Sequence, residues 1–286
     1  MSDERGFRAS NFALQLGKRT LVMGILNVTP DSFSDGGESY AVDATVERGL
    51  QQVAAGADII DIGGESTRPG SEPVTLDEEL RRVIPVIEEL ASKIRIPISI
   101  DTYKSEVASR ALKAGATIVN DISAGQFSPS MPSVIAGAGA GVILMHIKGT
   151  PRDMQKNPSY VNVVSEVGSF LKLAETNFIN SGLNRNQILV DPGIGFGKNI
   201  AHNLELIRNL RSFNDIGIGI VYGPSRKSFI GLLTGKPVKD RLAGTLGSVI
   251  AGAWLGADIV RVHDVPETID ALKVSDALQH GYNVEK

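Results

Sequence analysis

Cysteine is missing from all 286 residues. Its absence excludes disulfides, thiolate nucleophiles and cysteine-ligated zinc, but it fixes no compartment, since a cysteine-free chain survives in any of them. No apolar run approaches the ~20 residues that a membrane-spanning helix needs. The opening MSDERGFRAS is charged and polar, without the apolar stretch of a secretory signal. A soluble, cytoplasmic protein with no membrane partner is expected. Basic charge is not in excess either: the formal net charge is −3, and no run of Lys and Arg offers a surface for nucleic acid. Several catalytic signatures are also lacking. The histidines His146, His202, His263 and His280 show neither HExxH nor any paired ligand spacing, and no G-x-S-x-G elbow is present. DPGIGFGK (191–198) reads GxGxGK, which fits neither the dinucleotide fingerprint nor the P-loop, and GLLTGKP (231–237) fails in the same way.

What the sequence does have is eight regularly spaced apolar runs, each stopping in polar residues: LNVTPDSF (26–33), DIGGESTRPG (61–70), ISIDT (98–102), VNDIS (119–123), LMHIKG (144–149), LVDPGIGFGK (189–198), VYGPSRKS (221–228) and VRVHDV (260–265). The runs are nearly continuously apolar, as strands buried on both faces are, and helical periodicity between them implies parallel pairing. Three junctions, AAGADIIDIGG, KAGATIVNDIS and WLGADIVRVHD, end a helix at Gly-Ala before the next strand, with Gly supplying a left-handed cap. An open doubly wound sheet would alternate in the same way; the count of eight favours a closed (β/α)8 barrel of the α/β class, a fold that typically takes ~250 residues. Residues 1–286 are expected to form one domain, with 1–19 as an extension whose short strand pair, within about 7–20, plugs the lower mouth. The first helix is expected from Val42, the second from Leu76 behind a Thr75/Glu78 capping box, and the sixth over Ala201–Phe213. Thr29–Tyr40 and Glu65–Thr75 are long, irregular loops at the face where barrels build their sites, and read as functional lids.

The strand ends carry the chemistry. Asp101, Asn120 and Asp191 would present two carboxylates and an amide to a common axis, a set suited to the donor edge of a flat heterocycle with amino and ring N–H groups. Lys227 would donate to the opposite edge, and Met145, Ile122 and Arg261 would supply the faces of a slot, Arg by planar stacking. Asn27, Arg68, Arg261 and His263 form a mostly cationic group suited to a phosphate or diphosphate. Each residue alone has a plainer role: Asp101 can cap a helix, Asn120 and Asp121 can form turns, and Met145 can be core. Eight such residues on one barrel face favour a site.

These segments resemble the dihydropteroate synthase family. LNVTPDSFSDGG (26–37) is similar to the family's first signature and DIGGESTRPG (61–70) to its second; IDTYK, VNDIS, LMHIKGTPRDMQ, DPGIGFGK, SRKSFIG and RVHDV follow in the family's order and spacing, so the likeness covers about Thr20 to Val265. Pro224, where the family often has an aliphatic or small residue, is the departure noted. The resemblance implies a monofunctional, bacterial-type transferase of folate biosynthesis. It would condense 6-hydroxymethyl-7,8-dihydropterin diphosphate with p-aminobenzoate, release diphosphate, and be a sulfonamide target and a homodimer. It further implies that Asp101, Asn120, Ile122, Met145, Asp191, Gly223, Lys227 and Arg261 bind the pterin. Asn27, with Mg²⁺ as cofactor and Asn27 as its ligand, would meet the diphosphate together with Arg68, Arg261 and His263. Phe33, Ser34, Thr67, Arg68, Pro69, Phe196 and Ser228 would form the aminobenzoate pocket. Asp101, Lys227, Arg261 and Asn27 would be the catalytic residues, acting on a pterin cation formed by early loss of diphosphate. Two rivals remain: a pterin-binding methyltransferase, which would need neither the diphosphate group nor the lids, and a homologue that binds without turnover.

Overall fold

Alternation within the strands sets the architecture. The computed structural model describes residues 5–28 and 37–281. A hairpin of β1 (Arg5–Ala9) and β2 (Phe12–Leu16) precedes a closed parallel barrel of β3 (Leu21–Asn27), β4 (Ile59–Gly63), β5 (Ile98–Asp101), β6 (Ile118–Asp121), β7 (Gly141–Met145), β8 (Ile188–Asp191), β9 (Gly219–Tyr222) and β10 (Ile259–Val262). The strands follow chain order, and β10 returns to pair with β3. Around them lie α1 (Gly37–Ala54), α2 (Leu76–Lys93), α3 (Ser105–Ala114), α4 (Met131–Ala138), α5 (Val163–Asn180), α6 (Ile200–Arg208), α7 (Ser228–Thr234), α8 (Leu242–Trp254) and α9 (Val265–His280). The eight-stranded barrel expected from the strand count is therefore present.

Because successive strand residues face opposite ways, the barrel has two cores. Val22, Ile60, Val119, Val142, Val190 and Val260 face outward and pack with helix residues such as Val83, Val107, Val167 and Leu206. Their neighbours Met23, Ile59, Ile118, Ile143, Leu189, Val221 and Ile259 form a separate inner core with Phe7, Ala9 and Leu16 of the hairpin. Glycines make room for the hairpin at the strands' amino-terminal ends. A Cβ on Gly141 would lie 2.5 Å from the Phe7 ring, and one on Gly219 would lie 2.6 Å from Leu16. Arg5 ties the hairpin down through both carboxylate oxygens of Asp258, at 2.7 and 3.1 Å. The amino-terminal mouth is thus sealed by apolar side chains, and only the carboxyl ends of the strands remain for chemistry.

Local signals account for most element boundaries. The Gly-Ala junctions place Gly56, Gly115 and Gly256 at φ of 102°, 121° and 108°, a region that L side chains rarely adopt. Thr75 accepts from the Glu78 backbone N–H at 3.4 Å, but the Glu78 carboxylate pairs with Arg81 and Arg82 as well, so the expected capping box is half realised. The first helix begins at Gly37, five residues before its expected start at Val42. The sixth stops at Arg208 and gives way to a 3₁₀ turn, Leu210–Phe213. There the Asn209 side chain donates to the Glu205 carbonyl at 2.8 Å and competes with continued helix. Among the described residues no helix is long and apolar enough to cross a membrane.

Candidate active site

The inner layer turns polar one step above the apolar inner core. Following the same inward parity, β4 presents Asp61 above Ile59, β6 presents Asn120 above Ile118, β8 presents Asp191 above Leu189, and β10 presents Arg261 above Ile259. Asp101 is paired in register with Gly63 on one side and Asn120 on the other. Arg261 reaches across the barrel: its Nε donates to Asp61 at 2.5 Å and an Nη to Asp101 at 2.6 Å. Asn120 donates its amide to the same Asp61 oxygen at 3.1 Å. The sequence reading did not single out Asp61. Its signal was present, a carboxylate inside the apolar strand IIDIG, and that carboxylate is fully buried with its second oxygen lacking a partner. Buried charges persist only when paired, so these four residues behave as one unit. Burial pushes the Asp101 carboxyl up to about 7, against the pull of Arg261, with Asp61, Glu79 and Asp121 adding to the rise.

Across the axis lies a second group. The Lys227 ammonium donates to the Ile194 carbonyl and sits 4.7 Å from the centre of the Phe196 ring. Burial lowers its pKa to about 8, opposed by the Asp191 charge. Asp191 accepts from the Gly193 N–H at 2.7 Å, and burial raises its pKa against the pull of Lys227. Gly223 leaves the space between them open: a Cβ there would stand 3.7 Å from Arg261, 4.0 Å from Asp191 and 4.0 Å from Lys227. Met145, in register with Asp191, is buried, as is Ile122, two residues beyond Asn120. Asp101, Asn120, Asp191, Lys227 and Arg261 therefore converge at the carboxyl end of the barrel as expected. Asp121 does not join them. Its carboxylate caps the Ser123 and Gly125 N–H groups at 2.8 and 2.7 Å, which is the turn-forming role.

The rim is more varied. His263 sits among the charges of Arg261, Arg226 and Arg68: its Nδ1 is 2.9 Å from the Ser225 hydroxyl, and burial, with those charges, lowers its pKa to about 4. Arg68 is exposed but close enough to contribute to that lowering. Thr67 and Pro69 lie in the same loop, which Glu65 anchors by accepting from Tyr103 at 2.7 Å, Lys104 at 2.5 Å and the Val74 N–H at 3.1 Å. Asn27 ends β3, with its amide oxygen 3.8 Å from where a Gly63 Cβ would stand. Ser228 is exposed at the first turn of α7, next to Lys227. Phe33 and Ser34 lie outside the described residues. Lys198 and His146 also went unassigned in the sequence reading; their Nζ and Nδ1 are 2.9 Å apart beneath Phe196, and both are buried. Among the described residues no three His, Cys, Asp or Glu side chains gather to hold a metal.

Chemically, one end offers buried acceptors at Asp61, Asp101 and Asp191, the opposite side offers a donor at Lys227, and a cationic and amide rim lies above. Known proteins are similar to this chain in sequence and in fold. The pterin binding enzyme family matches residues 23–263. The dihydropteroate synthase of Synechocystis is 48% identical over 263 residues, covering 92% of this chain and 91% of that one. A structure of Xanthomonas albilineans dihydropteroate synthase with 4-aminobenzoic acid has a TM-score of 0.90 at 43% identity, covering 97% of this chain and 99% of that one. The same enzyme in complex with 7,8-dihydropteroate gives 0.86 at 40%, covering 96% and 99%. The chain belongs to the pterin-binding enzymes and, among them, to the dihydropteroate synthases.

Proposed function

We propose that this chain joins 6-hydroxymethyl-7,8-dihydropterin diphosphate to p-aminobenzoate, giving 7,8-dihydropteroate and diphosphate, at the carboxyl end of the barrel. The observation that carries this reading is the polar inner layer, where the part-buried Asp101 and the buried Asp191 stand opposite a part-buried Lys227 around the space left by Gly223. Ionised carboxylates only accept hydrogen bonds, so they suit the amino and ring N–H edge of a pterin, while Lys227 donates to its ring oxygen or nitrogen. Asn120 completes the acceptor edge, and Ile122 and Met145 border the slot. Xanthomonas albilineans relatives hold 4-aminobenzoic acid and 7,8-dihydropteroate, which supports the same arylamine substrate and the same product here.

The reaction follows from where charge develops. The C–O bond between the pterin methylene and diphosphate breaks first, because the electron-rich dihydropterin delocalises the resulting cation. Asp101 stabilises that cation, and Arg261, fixed between Asp61 and Asp101, holds a positive charge beside the departing phosphates. Arg68 adds a second cation at the rim. His263 contributes as a neutral hydrogen-bonding ring. The aminobenzoate nitrogen then attacks the methylene carbon and loses a proton. Phe196 packs the benzene ring, Ser228 receives the carboxylate, and Thr67, Pro69, Phe33 and Ser34 complete the pocket and keep water from the cation.

Mg²⁺ fits this donor set as an ion carried chiefly by the diphosphate. Mg²⁺ takes oxygen ligands, keeps several waters and is usually bound through one or two protein groups plus substrate phosphates. The Asn27 side-chain oxygen, at the carboxyl end of β3, is the residue that would hold it. When bound, the ion would neutralise charge on the leaving diphosphate. We further propose a homodimer located in the cytoplasm, formed as one domain by residues 1–286.

Steady-state kinetics of Asp101→Asn and Lys227→Ala variants with dihydropterin diphosphate test the pterin assignment. Each is expected to lose about a hundredfold or more in kcat/KM. Near-normal turnover in either variant would refute it.

A further inference from the structure

Lys198 is a buried charge-bearing side chain that the chemistry above does not use. It is 2% exposed. Its Nζ donates to the Phe196 carbonyl at 2.9 Å and to the His146 carbonyl at 3.4 Å, and it meets His146 Nδ1 at 2.9 Å. Burying a lysine costs several kcal/mol unless its N–H groups find acceptors. A methionine would fill nearly the same volume without that cost, so the polar contacts rather than the packing set this residue apart. Those contacts join two strand exits. His146 follows β7, and Phe196 stands in the turn after β8.

The turn is pressed onto β7's exit. A Cβ on Gly193 would fall 1.9 Å from the His146 carbonyl oxygen, and one on Gly197 would fall 2.4 Å from that of Lys148. Outer contacts steady its flanks: Gly195 N–H donates to Asn203 at 2.7 Å, and Tyr160 donates to the Gly197 carbonyl at 2.8 Å. Lys198 grips the carbonyl of Phe196 itself from below. The imidazole it leans on is fixed in turn by an edge-on contact with Phe170, with ring centres 4.8 Å apart. On its other side the Phe196 ring carries Lys227 at 4.7 Å.

We propose that Lys198, seated against His146, is a positioning residue that sets the Phe196 ring against the arylamine substrate and so governs selection of aminobenzoate rather than of the pterin. This rests on the reading that Phe196 packs the benzene ring. Burial lowers the pKa of Lys198 well below its usual range and that of His146 to about 2. With the His146 ring uncharged, the pair carries at most one positive charge, which lets two basic groups share the space.

The test is steady-state kinetics on Lys198→Met, Phe196→Ala and the double variant, varying each substrate in turn, with thermal unfolding measured alongside. K198M is expected to raise the aminobenzoate KM about tenfold while kcat and the dihydropterin diphosphate KM move less than about threefold. The double variant is expected to be no worse than F196A, because residues acting through one another are not additive. An unchanged aminobenzoate KM in F196A would overturn the reading of Phe196 and the proposal with it. A raised KM in F196A but not in K198M, or additive effects in the double variant, would overturn the role of Lys198 alone. Lys198→Gln, which restores one donor, is expected to fall between K198M and the parent. If K198M does not fold, His146→Gln is expected to show the same split at roughly three- to fivefold, and no split there overturns the proposal.

Discussion

Replacing Asp61 by asparagine changes one charge and almost no volume, yet it should slow the enzyme substantially. The Asp61 oxygen that accepts from Arg261 Nε at 2.5 Å also accepts from Asn120 at 3.1 Å. Breaking a buried ion pair by removing one partner costs about 3–5 kcal/mol. Here Asp101 still pairs with the same guanidinium at 2.6 Å, and the asparagine oxygen can still accept, so about 2 kcal/mol is the appropriate figure. At ~1.4 kcal/mol per factor of ten, kcat/KM should fall roughly 30-fold. A second, independent signature follows from charge. Asp61 is among the groups that raise the Asp101 pKa to about 7, so removing its charge makes Asp101 easier to ionise. If ionised Asp101 is the active form, activity is lost as pH falls through its pKa, and D61N should carry that acid limb to lower pH. The assay is diphosphate release across pH at low substrate, where kcat/KM reports groups of the free enzyme. A D61N enzyme within about twofold of the parent, with its acid limb unmoved, would refute the coupling between Asp61, Arg261 and Asp101.

Other outcomes follow from the same structure. The kcat/KM profile of the parent should be bell-shaped: activity rises as Asp101 ionises near 7 and falls as Lys227, with its pKa lowered to about 8, loses its proton. Phe7→Ala empties a fully buried site in the inner core and should cost about 3–5 kcal/mol in chemical denaturation, with both KM values nearly unchanged because the hairpin lies at the far end of the barrel. Gly193→Ala combines a φ of 69° with a Cβ 1.9 Å from the His146 carbonyl, so soluble protein with parental thermal stability would contradict the described turn. The family resemblance of the first loop, rather than the structure, implies that Phe33→Ala should raise the aminobenzoate KM more than it weakens pterin binding, measured by titrating each substrate separately.

The barrel was legible because its strands announce themselves twice, by apolar runs and by polar ends, and because the Gly-Ala junctions at Gly56, Gly115 and Gly256 mark where three of the helices must stop. Asp101, Asn120 and Asp191 were legible for the same reason: at a strand end an inward polar residue meets the mouth; Lys227 was legible from the loop that follows β9. Asp61 sits mid-strand, where only the inward parity shared with Ile59 and the reach of Arg261 from β10 reveal its use. Neither relation is visible without register. Lys198 was hidden differently. In a glycine-rich turn a lysine reads as solvated, and its burial depends on the turn folding back against His146. The lowered pKa of His263 was hidden too, since it comes from burial and from charges that the fold brings beside the ring, Arg261 foremost.

The most direct measurement is diphosphate release by the purified protein supplied with dihydropterin diphosphate and Mg²⁺, with and without p-aminobenzoate, while pteroate formation is followed chromatographically. The account predicts release coupled to 7,8-dihydropteroate and dependent on the arylamine. Tight pterin binding with no aminobenzoate-dependent product would contradict it, and would favour a barrel that binds pterin for another transfer or for none.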